Sequence, residues 1–443
     1  MNVDLSRLEE IEVAVSALRE GMDSSRRHSF PPSAVSFEEN QITLGFDRMR
    51  ELLAVALSQV PFYEDTRRQL TAPVFTLNDF PVINKSVLRE YLASLLTRDP
   101  LTTKLPSQEI SICTTSGSTG QATAVIRDWQ ARRADWDLFE MLLDDIGISG
   151  VGDTIHLGLR QLGMPLLLPA DIGSQGIWWN MPLFQPDNRE SRTFYQALHD
   201  FSRPSVFYGN SKLFDLADLA DEQGWSFDSE AVIWSYETLT KAGRERLTKC
   251  FKGQVRNIYG LAETGLIAFE CACGSLHFRP DLAVVELLDS DGATIDNEGV
   301  IGELVVTVLT STTMPLIRYR TGDLASWVLN CPCGRISRAV SQLIGRENVR
   351  LLTRDGRKFT PYFVLSTLSE AGLTNFQLIQ RSLDRIDVVY PRSVSLPAFF
   401  WQNVEDKLLE HTMNMALVPC PGDDFHYAES GKRNAAVQLL AIT

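Results

Sequence analysis

Residues 113–127 read CTTSGSTGQATAVIR, preceded by Ile110-Ser111-Ile112. The pattern predicts a strand, then a loop of hydroxyls and glycines over 114–120, then a return to apolar-rich chain. Glycines let the backbone approach an anion closely, and free N–H groups with hydroxyls wrap phosphate oxygens. It is not a Walker loop, because no Gly-Lys-Ser/Thr follows. A Ser/Thr/Gly cluster also serves as a plain connection, so the rest of the chain decides its use.

Working outward, the chain has 443 residues and 44% apolar content, enough for about two or three domains with large cores. The net charge of −14 argues against sequence-independent nucleic-acid binding, which relies on basic patches, and leaves room for a local anion site. No apolar run reaches the ~18–20 residues that span a bilayer. The N-terminus, MNVDLSRLEE, is acidic and lacks a signal-peptide apolar segment. Seven cysteines, four of them in two Cys-x-Cys pairs, suit a reducing compartment better than a disulfide framework. A cytoplasmic protein with no nucleic-acid or membrane partner is the expectation.

Apolar spacing predicts helices over 3–20 and 43–60, the second stopped by Pro61, with a polar loop over 24–34 between them. Asn84-Lys85-Ser86 opens another predicted helix, through Leu96. From about 105 to 330, short apolar runs (206–209, 231–235, 255–260, 283–289) alternate with helical patterns (212–223, 240–251), which argues for an α/β body. Residues 283–308 read strand–turn–strand around Asp291-Gly292, an appended antiparallel or barrel-like part. A boundary near Gly345-Arg346 leaves a small α+β domain of about 100 residues, with strands at 349–353 and 386–390 and helices over 362–371 and 396–413. There is no internal repeat.

Further motifs follow the glycine–hydroxyl loop in order: YGLAETG at 259–265, MPLIRYRTGDLA at 314–325, IGRENVRLL at 344–352 and ESGKRNAAV at 429–437. With VPFYED at 60–65, NDFPVINKSVLRE at 78–90 and GQAT at 120–123, this ordered set resembles the adenylate-forming (acyl-CoA synthetase) superfamily, closest to its phenylacetate–coenzyme A ligase branch. The resemblance runs from about residue 45 to the C-terminus. It implies a large N-terminal adenylation domain over 1–344, of stacked α/β subdomains plus a small β-barrel-like part, and a small mobile α+β domain over 345–443. It also implies ATP, Mg²⁺ and, as co-substrate, coenzyme A. A homodimer is expected by resemblance alone.

The chemistry accounts for the residue types. A carboxylate attacks the α-phosphate of ATP, giving acyl-AMP and pyrophosphate, and a thiol then displaces AMP. Two anions meet and a third leaves, so the protein must offset negative charge. By resemblance, Thr115, Ser116, Gly117, Ser118, Thr119 and Gly120 cradle the β- and γ-phosphates. Glu263 holds Mg²⁺, Tyr259 with Gly260 lies near adenine, Asp323 binds the ribose hydroxyls, and Arg346 reaches ribose or phosphate. Lys432 is the candidate catalytic lysine, brought in and withdrawn as the small domain rotates about 346–349.

The sequence also departs from that pattern. Ala262 stands where a hydroxyl is usual, which moves a phosphate contact to Thr264 or removes it. Tyr236-Glu237-Thr238 replaces Gly-Glu-Pro on the adenine floor, so Tyr236 alters that floor or narrows the acyl pocket. Asn348 or Val349 stands near the place of the hinge aspartate. The acyl pocket is expected among Trp178, Tyr208, Asn210, Tyr236, Leu261 and Ala262, whose aromatic walls suit an aryl or other flat acid.

Cys271-Ala-Cys273-Gly and Cys331-Pro-Cys333-Gly predict a closed tetrahedral Zn²⁺ site of four thiolates, with His277 able to replace one. Cys113, Cys250 and Cys420 read as structural. The expected activity is ATP-dependent activation of an aryl or similar carboxylic acid, with transfer to coenzyme A. The alternatives are transfer to a carrier-protein thiol or an amine, and a zinc-stabilised nucleotide-binding pseudoenzyme.

Overall fold

The computed structural model describes residues 32–70, 77–97, 110–115, 123–148, 153–157, 167–169, 177–180, 192, 195–196, 199, 205–289, 291–341, 343, 345–346, 351–353, 358–359, 361, 364–365, 367–368, 371–373, 375–392, 394–397, 399–408, 415–422, 425–426 and 436–439. The helix expected over 3–20 lies outside them.

The chain begins with helices α1 (Pro32–Gln59), α2 (Glu64–Gln69) and α3 (Lys85–Glu90), then the hairpin β1 (Ile110–Thr115) and β2 (Thr123–Asp128), then α4 (Trp129–Asp145). An alternating stretch follows: β3 (Asp153–Leu157), β4 (Leu167–Pro169), β5 (Ile177–Asn180), β6 (Ser205–Gly209), α5 (Lys212–Gln223), β7 (Ser229–Trp234), α6 (Lys241–Cys250) and β8 (Gln254–Leu261). Next come β9 (Gly265–Glu270), β10 (Leu276–Phe278), β11 (Ala283–Leu288), β12 (Ile301–Val308), β13 (Tyr319–Val328), β14 (Ala339–Val340) and β15 (Gly345–Arg346). The last elements are β16 (Leu351–Leu352), β17 (Lys358–Phe359), β18 (Gln377–Ser382), β19 (Arg385–Tyr390), α7 (Phe400–Leu408), β20 (Ala416–Pro421) and β21 (Ala436–Gln438).

Three expected boundaries move. Helix α1 starts at Pro32, so the end of the expected 24–34 loop is helical; proline at a first helical position carries no N–H to leave unsatisfied. Helix α3 is capped by Asn84, whose Oδ1 accepts the Ser86 and Val87 N–H groups, but it stops at Glu90 rather than Leu96. The backbone beyond it is claimed by other partners: the Ser94 carbonyl accepts Phe62 N–H at 2.9 Å, and Thr97 N–H donates to the Thr313 carbonyl at 3.0 Å. Helix α7 begins at Phe400, after Pro397, not at Leu396.

The described chain forms two compact units. Unit 1 falls within Met1–Gly117, Gln121–Leu142 and Ile258–Leu343. In it the strands run in the order β11-β12-β13-β14-β10-β9, followed by the second half of β8. Helix α1 lies close against the segment before β11: a Cβ on Gly45 would overlap the Pro280 carbonyl, and Arg48 donates to the Asp281 carbonyl at 2.6 Å. The β1–β2 hairpin is held by Asp128, whose carboxylate accepts the N–H groups of Thr312 (2.6 Å) and Thr313 (3.1 Å). Arg318, at φ 52, is a buried arginine forked onto Glu286 by two 3.1 Å bonds.

Unit 2 falls within Ser118–Gly120, Leu143–Asn257 and Ile344–Thr443. The first half of β8 pairs with β7, then β6, β3, β5 and β4 follow; all but the β4–β5 pair are parallel. The sequence SVFYG of β6 is buried along its whole length, as expected of a strand covered on both faces. Helix α5 occupies the predicted 212–223 and ends on Gly224 at φ 70, the left-handed residue that stops a helix. Helix α6 is capped by Thr240, whose hydroxyl accepts Gly243 N–H. Their apolar faces join Phe207, Trp234, Phe227 and Phe251 in one core. The C-terminal part is a sheet in the order β20-β19-β18-β21 with α7, around a second core that includes Leu378, Val388, Phe400 and Val404. Among the described residues no helix is long and apolar enough to cross a membrane.

Candidate active site and a cysteine–histidine cluster

Strand β8 turns tightly into β9. Gly260 pairs with Leu266 and Leu261 with Gly265, which leaves Ala262, Glu263 and Thr264 as the tip. Two glycines make the turn feasible. Gly265 sits at φ 71, and a Cβ on Gly260 would overlap the Gly265 carbonyl. Thr264 is buried, and its hydroxyl accepts Leu261 N–H at 3.1 Å while donating to the Gly265 carbonyl at 2.9 Å. That hydroxyl, expected from sequence to stand in for the one missing at Ala262, is engaged inside the turn.

Glu263 at the tip is only 6% exposed. Its Oε1 accepts the Tyr319 hydroxyl at 3.0 Å and lies 3.6 Å from Lys85 Nζ. Tyr319 and Lys85 lie in stretches that carry the family resemblance, but neither is among the candidate site residues expected from the sequence. Asp323, also on β13, is buried and accepts the Tyr259 hydroxyl at 2.8 Å. The Asp323 N–H donates to Thr321 Oγ1, so the Thr-Gly-Asp segment is held at its backbone as well. Two carboxylates are thus each fixed by a tyrosine hydroxyl, a donor that orients without neutralising the charge.

In unit 2, Tyr208 and Tyr236 meet at their hydroxyls, 3.1 Å apart, with ring centroids at 5.8 Å. The His156 ring lies 5.0 Å from Tyr208 and 6.4 Å from Tyr236. Tyr236 is a non-glycine residue at φ 72, with its ring partly in solvent. Glu237 accepts Ser211 N–H on Oε2; its buried Oε1 has no hydrogen-bond partner among the described residues. Asn210 is buried and its Oδ1 accepts Lys212 N–H, a cap-like contact at the start of α5. Leu261 and Ala262, half-buried, belong to the turn of unit 1.

The backbone of Trp178 lies in β5, opposite Thr154 and Leu168. Thr115 ends β1 opposite Thr123, and Arg346 lies in β15. The side chains of these three, and all of Ser116, Gly117, Ser118, Thr119, Gly120, Asn348, Val349 and Lys432, fall outside the described residues.

The cysteine pairs converge. The ligand atoms of Cys271, His277, Cys331 and Cys333 lie within 4.8 Å of one another. The sequence pattern places Cys273 as the fourth ligand with His277 able to replace one thiol; in the structure Cys273 is exposed at the turn and His277 stands in the cluster. Register explains the exchange: β10 returns antiparallel to β9 with His277 opposite Phe269, beside the end of β9. His277 Nδ1 faces the Ser337 carbonyl at 3.2 Å, an acceptor only, so that nitrogen carries the proton. Nε2, 3.2 Å from Cys333 Sγ, is left with its lone pair toward the sulfurs. Hydrogen bonding from Cys333 lowers the Cys271 thiol well below the ordinary range, against the opposing effect of burial. Each pair turns through a glycine, Gly274 at φ 83 and Gly334 at φ 77, whose N–H returns to the carbonyl of Cys271 or Cys331. Three sulfurs and an imidazole nitrogen at this spacing fit a tetrahedral metal.

No protein-family model matches the chain. Over 334 residues it is 27% identical to a phenylacetate-coenzyme A ligase of Thermus thermophilus, covering 70% of this chain and 71% of that one. It is 24% identical to protein CapK of Staphylococcus aureus, covering 72% and 69%. A solved 2-hydroxyisobutyryl-CoA ligase, in its postadenylation state with an acyl-AMP, superposes with a TM-score of 0.71 over 94% of this chain and 91% of that one, at 18% identity. The fold is that of the adenylate-forming CoA ligases. Within this fold, the β8–β9 turn and β13 carry the residues on which the sequence resemblance rested, Tyr259, Glu263 and Asp323.

Proposed function

We propose that this chain activates a carboxylic acid as its acyl-adenylate and passes the acyl group to coenzyme A. The observation that carries this reading is the pair of buried carboxylates, Glu263 and Asp323, each held by a tyrosine hydroxyl in a chain related to CoA ligases. Asp323 offers acceptor oxygens to the two ribose hydroxyls. Glu263 offers an oxygen to Mg²⁺, which neutralises phosphate charge, with Lys85 adding a second cation nearby. The Oε1 of Glu237, which has no hydrogen-bond partner among the described residues, suits an exocyclic amine such as that of adenine. Residues 115–120 cradle the departing pyrophosphate, and Arg346 reaches the nucleotide. Lys432 serves adenylation, with the 345–443 domain turning between half-reactions.

The acid we favour is an aryl or similarly flat one, because the rings of Tyr208 and Tyr236 meet beside His156. The cysteine–histidine cluster holds a structural zinc, closed to catalysis because the protein supplies all four ligands. Reduced thiols in such a cluster suit a cytoplasmic setting. A carrier-protein thiol or an amine is the alternative acceptor. A nucleotide-binding pseudoenzyme is favoured by one observation: Ala262 lacks a hydroxyl, and that of Thr264 is engaged inside the turn.

Pyrophosphate release, screened over aryl acids with and without coenzyme A, separates these readings. The ligase releases pyrophosphate with its acid and consumes coenzyme A. Pyrophosphate without coenzyme A consumption points to another acceptor. Bound ATP with no pyrophosphate from any acid points to the pseudoenzyme.

A further inference from the structure

Beneath the β8–β9 turn lies a largely buried ion pair between Arg127, the last residue of the 113–127 stretch, and Asp135, to which the sequence reading gave no role. Arg127, near the end of β2, is 4% exposed and forks onto Asp135 of α4, with Nη1 to Oδ2 at 2.7 Å and Nη2 to Oδ1 at 3.0 Å. Arg127 Nη2 also donates to the Ala131 carbonyl at 2.9 Å. Asp135 Oδ1 accepts a further hydrogen bond from the backbone N–H of Leu266 at 2.8 Å. A Cβ on Gly265 would overlap both Arg127 Nη2 and Asp135 Oδ1. The pair therefore sits directly against the base of the turn whose tip is Glu263.

A buried ion pair is a weak means of adding stability, because desolvation offsets the attraction between its charges. It does fix geometry, since each charge must keep its partners. Here one partner is the backbone of the turn itself. Arg127 also belongs to the hairpin β1–β2, opposite Ser111 in the register that brings Thr115 opposite Thr123. Those two threonines flank residues 116–122.

We propose that Arg127 and Asp135 are positioning residues that set the Glu263 carboxylate for Mg²⁺·ATP, through the Leu266 N–H and the Gly265 contact. The pair ties the hairpin leading into the glycine–hydroxyl loop to the turn bearing the metal-binding acid. This rests on the role proposed above for Glu263.

The test is isothermal titration of ATP into the full chain, with Mg²⁺ and with EDTA. Asp135→Asn weakens the Mg²⁺-dependent binding roughly 10- to 100-fold, the usual cost of losing a group that supports a metal ligand. ATP binding in EDTA stays unchanged. In a Glu263→Gln background, Asp135→Asn produces no further loss. Arg127→Met/Asp135→Leu, which leaves no unpaired buried charge, behaves the same way and serves if Asp135→Asn does not fold. Equal losses with and without Mg²⁺, or independent losses in the two backgrounds, overturn the proposal. If Glu263→Gln weakens Mg²⁺-dependent binding and the pair's variants do not, the positioning role alone fails. If Glu263→Gln itself has no effect, the assignment of Glu263 fails, and the positioning role with it.

Discussion

Tyr259 donates its phenol hydrogen to Asp323 across 2.8 Å, joining two residues 64 positions apart in the sequence. The bond orients the carboxylate that is proposed above to accept the ribose hydroxyls. Removing the phenol oxygen leaves Asp323 with one fewer donor. Tyr259→Phe is therefore expected to weaken ATP binding about tenfold, the scale of one hydrogen bond to a charged group. With Asp323 in its proposed ribose-binding role, calorimetry should show the loss for ATP and AMP alike, because both carry the ribose.

Arg318 belongs to the MPLIRYRTGDLA stretch at 314–325, and its contacts are architectural. It adopts φ 52, a conformation costing about 1 kcal/mol outside glycine. Its guanidinium is forked onto Glu286, whose carboxyl is pushed up by burial and drawn down by Arg318. Arg318→Ala leaves that acid buried and unpaired, so urea denaturation should show a loss of about 3–5 kcal/mol.

The proposed zinc at the cysteine–histidine cluster yields a test between two neighbouring ligand candidates. Purified without chelator, the protein should carry one zinc per chain by mass spectrometry. His277→Ala should lose the metal and Cys273→Ser should keep it. The reverse result would restore the all-thiolate site that the sequence alone suggested.

Cys250 sits in the second unit's core, and burial, reinforced by Asp221, raises its thiol from 9.0 to about 11. Folded chain therefore holds this proton where unfolded chain releases it. The associated stability is fully present below pH 9.0 and declines as pH rises to about 11. Over that interval the loss is about 2–3 kcal/mol, at 1.36 kcal/mol per unit. Cys250→Ala should flatten this alkaline limb, measured as the difference between wild-type and variant urea midpoints. Equal slopes in the two proteins would disprove the linkage.

What the sequence revealed depends on the distance over which each signal acts. The helices expected over 212–223 and 240–251 and the apolar run over 206–209 rest on local patterns, and they appear as α5, α6 and β6 within a residue of those bounds. Helix α3 was overextended because KSVLREYLASLL keeps a helical pattern, whereas its later carbonyls and N–H groups bond to distant chain. The two carboxylates were legible through the motifs around them. Tyr319, Lys85 and the Arg127–Asp135 pair were not, because each meets its partner through the packing of separate elements. The bond from Leu266 N–H to Asp135 spans 131 residues, with no periodicity to announce it. His277 was readable only as a substitute ligand, since the β9–β10 pairing that brings it beside the cysteines joins separate elements.

The left-handed backbone at Tyr236 has a consequence for redesign. A residue at φ 72 is strained by about 1–2 kcal/mol unless it is glycine. Its ring is partly in solvent, so little packing would be lost on truncation. Position 236 is therefore a dial that can be turned toward glycine with little cost to folding. Tyr236→Gly enlarges the space beside Tyr208 and His156, so the acyl pocket proposed there becomes adjustable at one codon.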